Sequence, residues 1–531
     1  EKLTSVVVDE GMGKKNLTTS FTYNSRGDVI SVTDPIGNTT SMEYDAMRRL
    51  TKVTTDSPFT YETKFTYDEN GNRIKTERET GDGTTPWQVQ EATYYIDDLL
   101  KDITDHNSNQ TDFEYDTLRR RWKVTDAESR LTKVEYDSDG RIWKITDPSN
   151  TVAETRTYTS SGKISTVKDS SNNTTSYTYD DFDRLKKVTF PDSTYEEFTF
   201  DDNGNVLTKR TRSGNTITFT YDELDRIKTR TPQGQPTVTY TLDKRGLLKK
   251  VGKPVVSGDP SSGDFEYTYD SAGRLIQEEY PDGKEVSYEF DDNGNITKLT
   301  YPDGYYVNYE YDELNRLTDI KLNGSTSSSL VFGYDALSRR TSLTYENGVV
   351  TEYNYDWIND LEQLIQTFDS SSVTFDYSYN SVHEITSQEV DDSSFLWHPA
   401  TAGTTSYGTA NSLNQYPTVG SDSYSYSDNG CLTDDGTWDF TYDTENHLVE
   451  ADDGSTTVSF LYDPKHRQAQ KTVGSNKSRY IYSGVNLIAE YDGSGNLQKK
   501  YIFGPNFDEV LIELDSSMVC PPIDRQKIFY D

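Results

Sequence analysis

A phenol, a carboxylate and a guanidinium recur at fixed spacing along this chain. Tyr221 and Asp222 are followed by Arg226 in "YDELDRI", and Tyr311, Asp312 and Arg316 stand the same way in "YDELNRL". Tyr269, Asp270, Gly273 and Arg274 repeat the set, as do Tyr136, Asp137, Gly140 and Arg141, and Tyr179, Asp180 and Arg184. A carboxylate beside a guanidinium could move protons or hold an oxyanion, provided that several such groups meet in one pocket. Tandem copies are spread along the chain instead. The expectation is therefore a structural role for each copy and no catalytic residue among them.

Other chemistry-bearing residues are sparse. The five histidines are His106, His383, His398, His447 and His466, and none forms a metal-spaced pair. His447 stands where the repeat usually carries Arg, in "YDTENHL", and a structural role is expected for it. "DDNGN" at Asp201 and Asp291 resembles the start of a calcium loop but lacks the closing Glu. No cofactor is therefore expected, with Ca²⁺ at acidic turns as the lesser alternative. There is no GxSxG nucleophile elbow and no phosphate-binding glycine loop. Trp122, Trp143, Trp357, Trp397 and Trp438 are the best candidates for stacking on sugars, and shell-lining aromatics are the favoured reading.

The elements that must position these residues follow from the spacing. The aromatic before Asp falls at Tyr115, Tyr136, Tyr158 (here followed by Thr), Tyr179, Phe200 and Tyr221, then at Tyr269, Phe290, Tyr311, Tyr334 and Tyr355, with a dominant period of 21. Repeats of this length point to a tandem architecture. Each unit holds two turn signals. The first is Asp-x-x-Gly or Asp-x-x-Asn, as at Asp270–Gly273 and Asp312–Asn315. Arg48, Arg119 and Ser338 break the preference at the fourth place, so those turns must differ or carry strain. The second signal contains proline, as in Asp34-Pro35-Ile36-Gly37, Pro281-Asp282-Gly283 and Pro302-Asp303-Gly304.

Between the turns run about six residues with two-residue alternation. "FTYD" at Phe219, "YEFD" at Tyr288, "YEYD" at Tyr309 and "YNYD" at Tyr353 each put two aromatics on one strand face. The unit is one β-hairpin. Arg184, Arg226, Arg274 and Arg316 sit five residues after the aromatic, roughly opposite it across the hairpin. Lying over that Tyr, or paired with the turn Asp, each guanidinium would make the turn self-supporting by about 0.5–1 kcal/mol. Helical signals are weak, and only "WINDLEQLIQ" from Trp357 could make a turn or two. So many strands in one meander must coil, because sheet twist accumulates. Hydrophobic residues are only 32% of the 531, while Tyr numbers 40, so the enclosed space is expected to be at least partly hollow.

The formal net charge is −36, which argues against nucleic acid as a partner and against docking on anionic lipid. The two cysteines, Cys431 and Cys520, form no metal framework, although a disulfide between them is open. No apolar run reaches membrane-spanning length, so membrane insertion is not expected. The opening "EKLTSVVVDEG" reads as the middle of a longer polypeptide.

These repeats resemble the YD repeats of the RHS (rearrangement hot spot) family over nearly the whole chain. The C-terminal third strengthens the resemblance. "NQYPTVGSDSYSYSDNGCLTDDGTWDFTYDTENHLVEADDG" from Asn414, "YDPKHRQAQK" from Tyr462 and "YIYSGVNLIAEYDGSGNLQKKYIFGPNFDEVL" from Tyr480 look like late segments of the family core. The family includes polymorphic toxins, toxin-complex shells, wall-associated proteins and the teneurins. The resemblance implies an all-β fold of tandem antiparallel hairpins coiling into a spiral, hollow β-shell. Residues 1–392 are expected to be the hairpin array, 393–417 an irregular loop or plug, and 418–531 the core-like C-terminal segment. In toxin members the shell encloses a C-terminal effector, so the implied function is a non-enzymatic, secreted or cell-surface shell. The implied partner is an effector or cargo of the same polypeptide. The alternative is a cell-surface adhesion protein with a receptor or glycan as partner. The family's closing motif, linked to aspartate self-cleavage, does not follow "FGPNFDEVLIELD" here. Asp34 and Asp147 precede proline inside ordinary repeat turns, so that role is not carried onto them.

Overall fold

The computed structural model describes residues 2–9, 15–55, 60–80, 87–369, 371–395 and 403–515. Each hairpin begins from its turn. In the turn at Asp222, the amide of Asp225 donates to the Asp222 carbonyl at 3.1 Å, and the Asp222 amide donates to the Arg226 carbonyl at 2.9 Å. Oδ1 of Asp222 accepts the amides of Leu224 and Arg226 at 2.9 and 3.0 Å. The short acidic side chain thus organises the loop around itself. The fourth residue must take a left-handed conformation, as Gly273 does at φ 89° and Asn315 at φ 60°.

Arg48, Arg119 and Ser338 adopt the same conformation at φ 67°, 64° and 64°. The turn geometry does not change for them, and each carries the steric strain of a side chain there, about 1–2 kcal/mol. Ser129 sits at φ 61° in one of the proline-type positions of the repeat. Ser129→Gly is expected to stabilise the chain by up to about 1 kcal/mol, the relief of strain being partly offset by glycine's unfolded-state entropy. A denaturant midpoint that falls would contradict this. The proline-containing turns close in the same way, with Gly37 donating to Asp34 at 3.1 Å and Gly283 to Tyr280 at 2.9 Å.

Among the described residues, thirty-five strands from Ser5 to Val390 form one sheet. Each pairs antiparallel with the next, for example Thr216–Tyr221 with Ile227–Pro232. A second sheet of ten strands runs from Ser425 to Asp515. Between them lie a 3-10 turn at Ser393–Phe395 and a mostly exposed stretch, 403–417, whose Tyr407 bridges Val419. The helical expectation at "WINDLEQLIQ" fails. Asp356 to Asp360 form a hairpin turn with Asn359 at φ 80°, and Leu361–Thr367 is a strand paired on both sides. Two neighbouring ladders outweigh a short local helical pattern.

The meander coils on itself. Asn38, in a proline turn, donates through Nδ2 to the carbonyl of Glu313, 275 residues away in a YD turn. Gln88 reaches Trp357, Arg130 pairs with Glu384, Asn173 meets Asn414, and Ser213 meets Asn429. In most of these contacts the proline-side tips of one turn of the ribbon meet the YD-side tips of the next. A spiral wall results, in which the hairpin tips of one turn of the ribbon seat on those of the next.

Burial is uneven along this spiral. Before Val188 no described hydrophobic side chain is fully buried, so the early ribbon is a single-layered wall with an unfilled inner face. The buried core lies further on. Val251, Val286, Val307, Ile320 and Leu330 pack with Ile488, Ala489, Ile502 and Ile512 of the second sheet. Each buried Val, Ile or Leu among them contributes about 1.5–3 kcal/mol.

The tips record the same coiling. Leu118, Phe182 and Leu224 occupy the third place of YD turns in the earlier ribbon and are 69%, 79% and 70% exposed. Leu314, at the same place in a later hairpin, is half-buried where Asn38 meets Glu313. Leu314→Ser should therefore destabilise by about 1–2 kcal/mol, and Leu224→Ser by no more than about 0.5 kcal/mol. Equal effects in chemical denaturation would contradict tip-to-tip packing.

Candidate functional site at the seams of the spiral

The repeated trio is a staple between hairpins. Arg141, Arg184, Arg226, Arg274 and Arg316 each donate through Nε to the Asp of their own turn, at 2.8, 2.6, 2.8, 2.7 and 2.7 Å. The expected position opposite the same unit's aromatic does not hold. The turn sets Asp222 against Arg226, so Tyr221 stands opposite Ile227, one residue beyond the arginine, and the bulge falls on the far side, between Tyr221–Ile227 and Thr220–Thr229. The guanidinium instead faces the next unit. Arg141 lies 4.5 Å from the Tyr158 ring centroid, Arg184 4.6 Å from Phe200, Arg274 4.9 Å from Phe290 and Arg316 4.7 Å from Tyr334. Nη1 of Arg184, Arg226, Arg274 and Arg316 also donates to the next turn's first carbonyl, at 2.9, 3.0, 2.6 and 3.0 Å. After Arg226 the aromatic slot holds Leu242, and only the hydrogen bond to Asp243 remains.

The tyrosines reach the other way. Tyr136, Tyr179, Tyr221, Tyr269 and Tyr311 donate their hydroxyls to backbone carbonyls of the preceding hairpin, at 2.7, 2.9, 2.9, 2.9 and 3.0 Å. Gly140 and Gly273 supply the left-handed turn residue. The trios follow one another along one edge of the ribbon and do not converge. Arg226 and the turn amides hold the Asp222 carboxyl down to about 2, so it stays charged near neutrality and is unsuited to general acid work.

The other singled-out residues are dispersed in the same way. Asp201 and Asp291 accept the amide and side-chain nitrogens of Asn205 and Asn295 within their own turns. Asp34 and Asp147 close ordinary turns. Trp122, Trp143, Trp357 and Trp438 stand on different hairpins, and Trp397, His398 and Cys520 lie outside the described residues. Cys431 is a half-buried free thiol. Nδ1 of His106 accepts the Val89 amide at 3.2 Å, and His383 pairs with Asp360 at 2.9 Å. His447 takes the arginine's place against the turn carboxylate and the next unit's aromatic. Its Nδ1 lies 2.8 Å from Asp443, and its ring stacks on Tyr462 at 4.5 Å.

The most buried polar chemistry lies where the second sheet meets the first. The Glu278 side chain has no solvent exposure and receives Arg467 at 2.7 Å, with Lys465 at 3.5 Å. Arg467 also holds Asp463 at 2.7 Å and donates to the Gly484 carbonyl at 3.0 Å. Arg340 grips Glu509 with both terminal nitrogens. Tyr280 is bonded to the backbone of Tyr482, and Tyr301 donates to the Tyr501 carbonyl at 2.8 Å. Burial pushes the Tyr301 phenol well above its ordinary range, so the donor is retained at any accessible pH. A cleft of about 520 Å³ opens beside this seam, walled by Tyr309, Tyr311, Tyr334 and Phe503. These groups can lock two layers together, and their ionic pairs are occupied by one another.

Sequence reasoning did not single out Glu278, Arg340, Arg467 or Glu509. Arg467 lies in the motif slot of "YDPKHR" and could have been read as one more staple. Glu278 carries a signal, because an acid occupies an inward place of the two-residue alternation, opposite Tyr267 and Val286.

Comparison with known proteins follows the same architecture. The chain overlays on the Photorhabdus luminescens Tc holotoxin pore with a TM-score of 0.66 at 13% identity, covering 95% of this chain and 30% of that one. The TcdB2–TccC3 crystal structure aligns with a TM-score of 0.52 at 14% identity, over 95% of this chain and 31% of that one. At such identity the likeness is one of fold. The tRNA nuclease WapA of Bacillus subtilis (strain 168) is 33% identical over 99 residues, which is 18% of this chain and 4% of WapA. The RHS Repeat family matches residues 23–58, 269–306 and 290–327. The Teneurin YD-shell family matches residues 153–259 and 318–503, more than half of the sequence. The chain belongs to the Teneurin YD-shell family, an all-β spiral of YD-repeat hairpins.

Proposed function

We propose that this chain is the non-enzymatic shell of a larger, secreted polypeptide and encloses an effector carried C-terminal to it. The observation that carries the reading is the wall itself. The ribbon closes on itself tip to tip, while its inner face before Val188 is left without a filled core. A container needs sealed seams and unoccupied volume, and it needs no catalytic group or cofactor. The partial match to a protein named as a tRNA nuclease is in keeping with a carrier for an enzyme cargo. Among the described residues no helix is long and apolar enough to cross a membrane, and the charge of −36 does not favour nucleic acid as a partner of the wall.

Protease protection tests the reading. In the longer polypeptide, a segment following this chain should resist digestion while the shell is folded and become cleavable once it is opened by denaturant. Cleavage at the same rate in both states would overturn it. A second reading, a cell-surface adhesion module, draws on the exposed apolar tips Met47, Leu118, Phe182 and Leu224. It predicts retention on cells or on a glycan array by the folded chain, with loss of retention when the tips are changed to serine.

A further inference from the structure

One staple in the seam differs from the rest. In the turn Asp443–His447 an imidazole takes the place of the permanent guanidinium. The next turn brings a second imidazole, His466, whose Nδ1 lies 2.8 Å from Nε2 of His447. The outer nitrogen of His466 faces the guanidinium of Arg230, which comes from the previous turn of the spiral, 236 residues earlier. Arg230 is 8% exposed and also donates to the Pro464 carbonyl at 3.1 Å.

The tautomers follow from this arrangement. Arginine can only donate, so Nε2 of His466 accepts and its Nδ1 carries the proton. That proton is given to Nε2 of His447, and Nδ1–H of His447 is given to Asp443. Arg230, His466, His447 and Asp443 form one directed chain of hydrogen bonds across the seam, complete only while both rings are neutral. We propose that this chain is an acid-sensitive latch between successive turns of the shell.

Adding a proton to His466 removes the acceptor facing Arg230 and sets two cations against each other in a sheltered site. Adding one to His447 points two N–H groups at each other. Every neighbouring element bears on the balance. Arg230 comes from the strand Ile227–Pro232, and Lys253, which donates to the Tyr462 carbonyl at 3.1 Å, from the strand Leu248–Lys253. Asp443 and Glu445 lie in the turn that holds His447, and Asp463 and Lys465 in the turn that holds His466. Glu445 is turned to Arg230 at 3.4 Å. A metal ion would need Glu445 and the His466 ring, both of which already face that guanidinium, so the cluster is disposed for protons rather than a cation. Burial, and then Arg230, lower the pKa of His466 from 6.5 to about 4. A depressed base favours the folded seam fully above about 6.5, and its contribution falls away as pH drops towards about 4.

Hydrogen exchange on the full chain, corrected for the chemical rate, tests the latch at about pH 7.5 and about pH 5. Acid should speed exchange about tenfold or more in Asp439–Tyr442, Leu448–Asp452 and Ile227–Pro232, with little change in the early wall at Thr174–Thr189. His447→Arg with His466→Asn restores the usual staple and keeps a residue tolerant of the left-handed turn, where His466 stands at φ 69°. This double variant should lose the acid response, and His466→Asn alone should weaken it. An unchanged wild-type protein at the lower pH, or an equal response in the double variant, would overturn the proposal.

Discussion

Arg467→Ala is expected to destabilise the junction of the two sheets by about 3–5 kcal/mol. The arginine is the main counter-charge of Glu278, whose side chain has no exposure, and it also holds Asp463. One Glu278 oxygen already lacks a partner, so the carboxylate has no spare donor to turn to. Lys465, at 3.5 Å, compensates only in part. The alanine variant leaves two carboxylates in a sheltered site, and most of the cost is that uncompensated burial rather than the loss of the bond itself. Glu278→Gln together with Arg467→Met should recover part of the loss, because the Glu278 charge leaves with the arginine while Asp463 still loses its partner. Calorimetry with hydrogen exchange on Gln468–Val473 checks this. A single variant within about 1 kcal/mol of the parent chain would show that the pair is exposed in solution.

Tyr301→Ala should be comparably severe, at about 3–5 kcal/mol. Tyr301 is 1% exposed, lies edge-on to Tyr305 at 6.0 Å, and donates to the Tyr501 carbonyl 200 residues away. Its removal opens a cavity where the second sheet docks. Tyr301→Phe keeps the ring and leaves the Tyr501 carbonyl without its donor, so about 1–3 kcal/mol is expected. The order Ala, then Phe, then wild type is the diagnostic result in denaturant unfolding. Tyr221→Ala, on the thin wall, should cost clearly less, since its ring staples only one hairpin to the one before.

Much of this architecture was legible in the sequence for local reasons. Asp at the first place of a four-residue turn, with Gly or Asn at the fourth, dictates the hairpin, and the spacing of Tyr136, Tyr179 and Tyr221 reports the repeat. The destination of each arginine was less legible. The turn closes with Asp222, not Tyr221, against Arg226, and a loop one residue longer has no signature of its own in the sequence. The coil was foreseeable only in general, because Asn38 and Glu313 share no local pattern that would pair them. Leu361–Thr367 was misread since its apolar spacing suits helix as well as strand, and only the flanking ladders decide. His447 was visible as the odd residue in an arginine slot. Its meaning required Arg230 and His466, which arrive from other turns of the chain.

The wall closes on itself around space that its early inner face leaves unfilled. A cryo-electron microscopy map of the longer polypeptide tests this most directly. The expected map shows a spiral β-wall sealed where Asn38 meets Glu313 and where Glu278 meets Arg467, with additional density confined inside the wall. A ribbon that runs open as a stalk, or a wall whose following segment lies wholly outside it, would show that the chain is not a container.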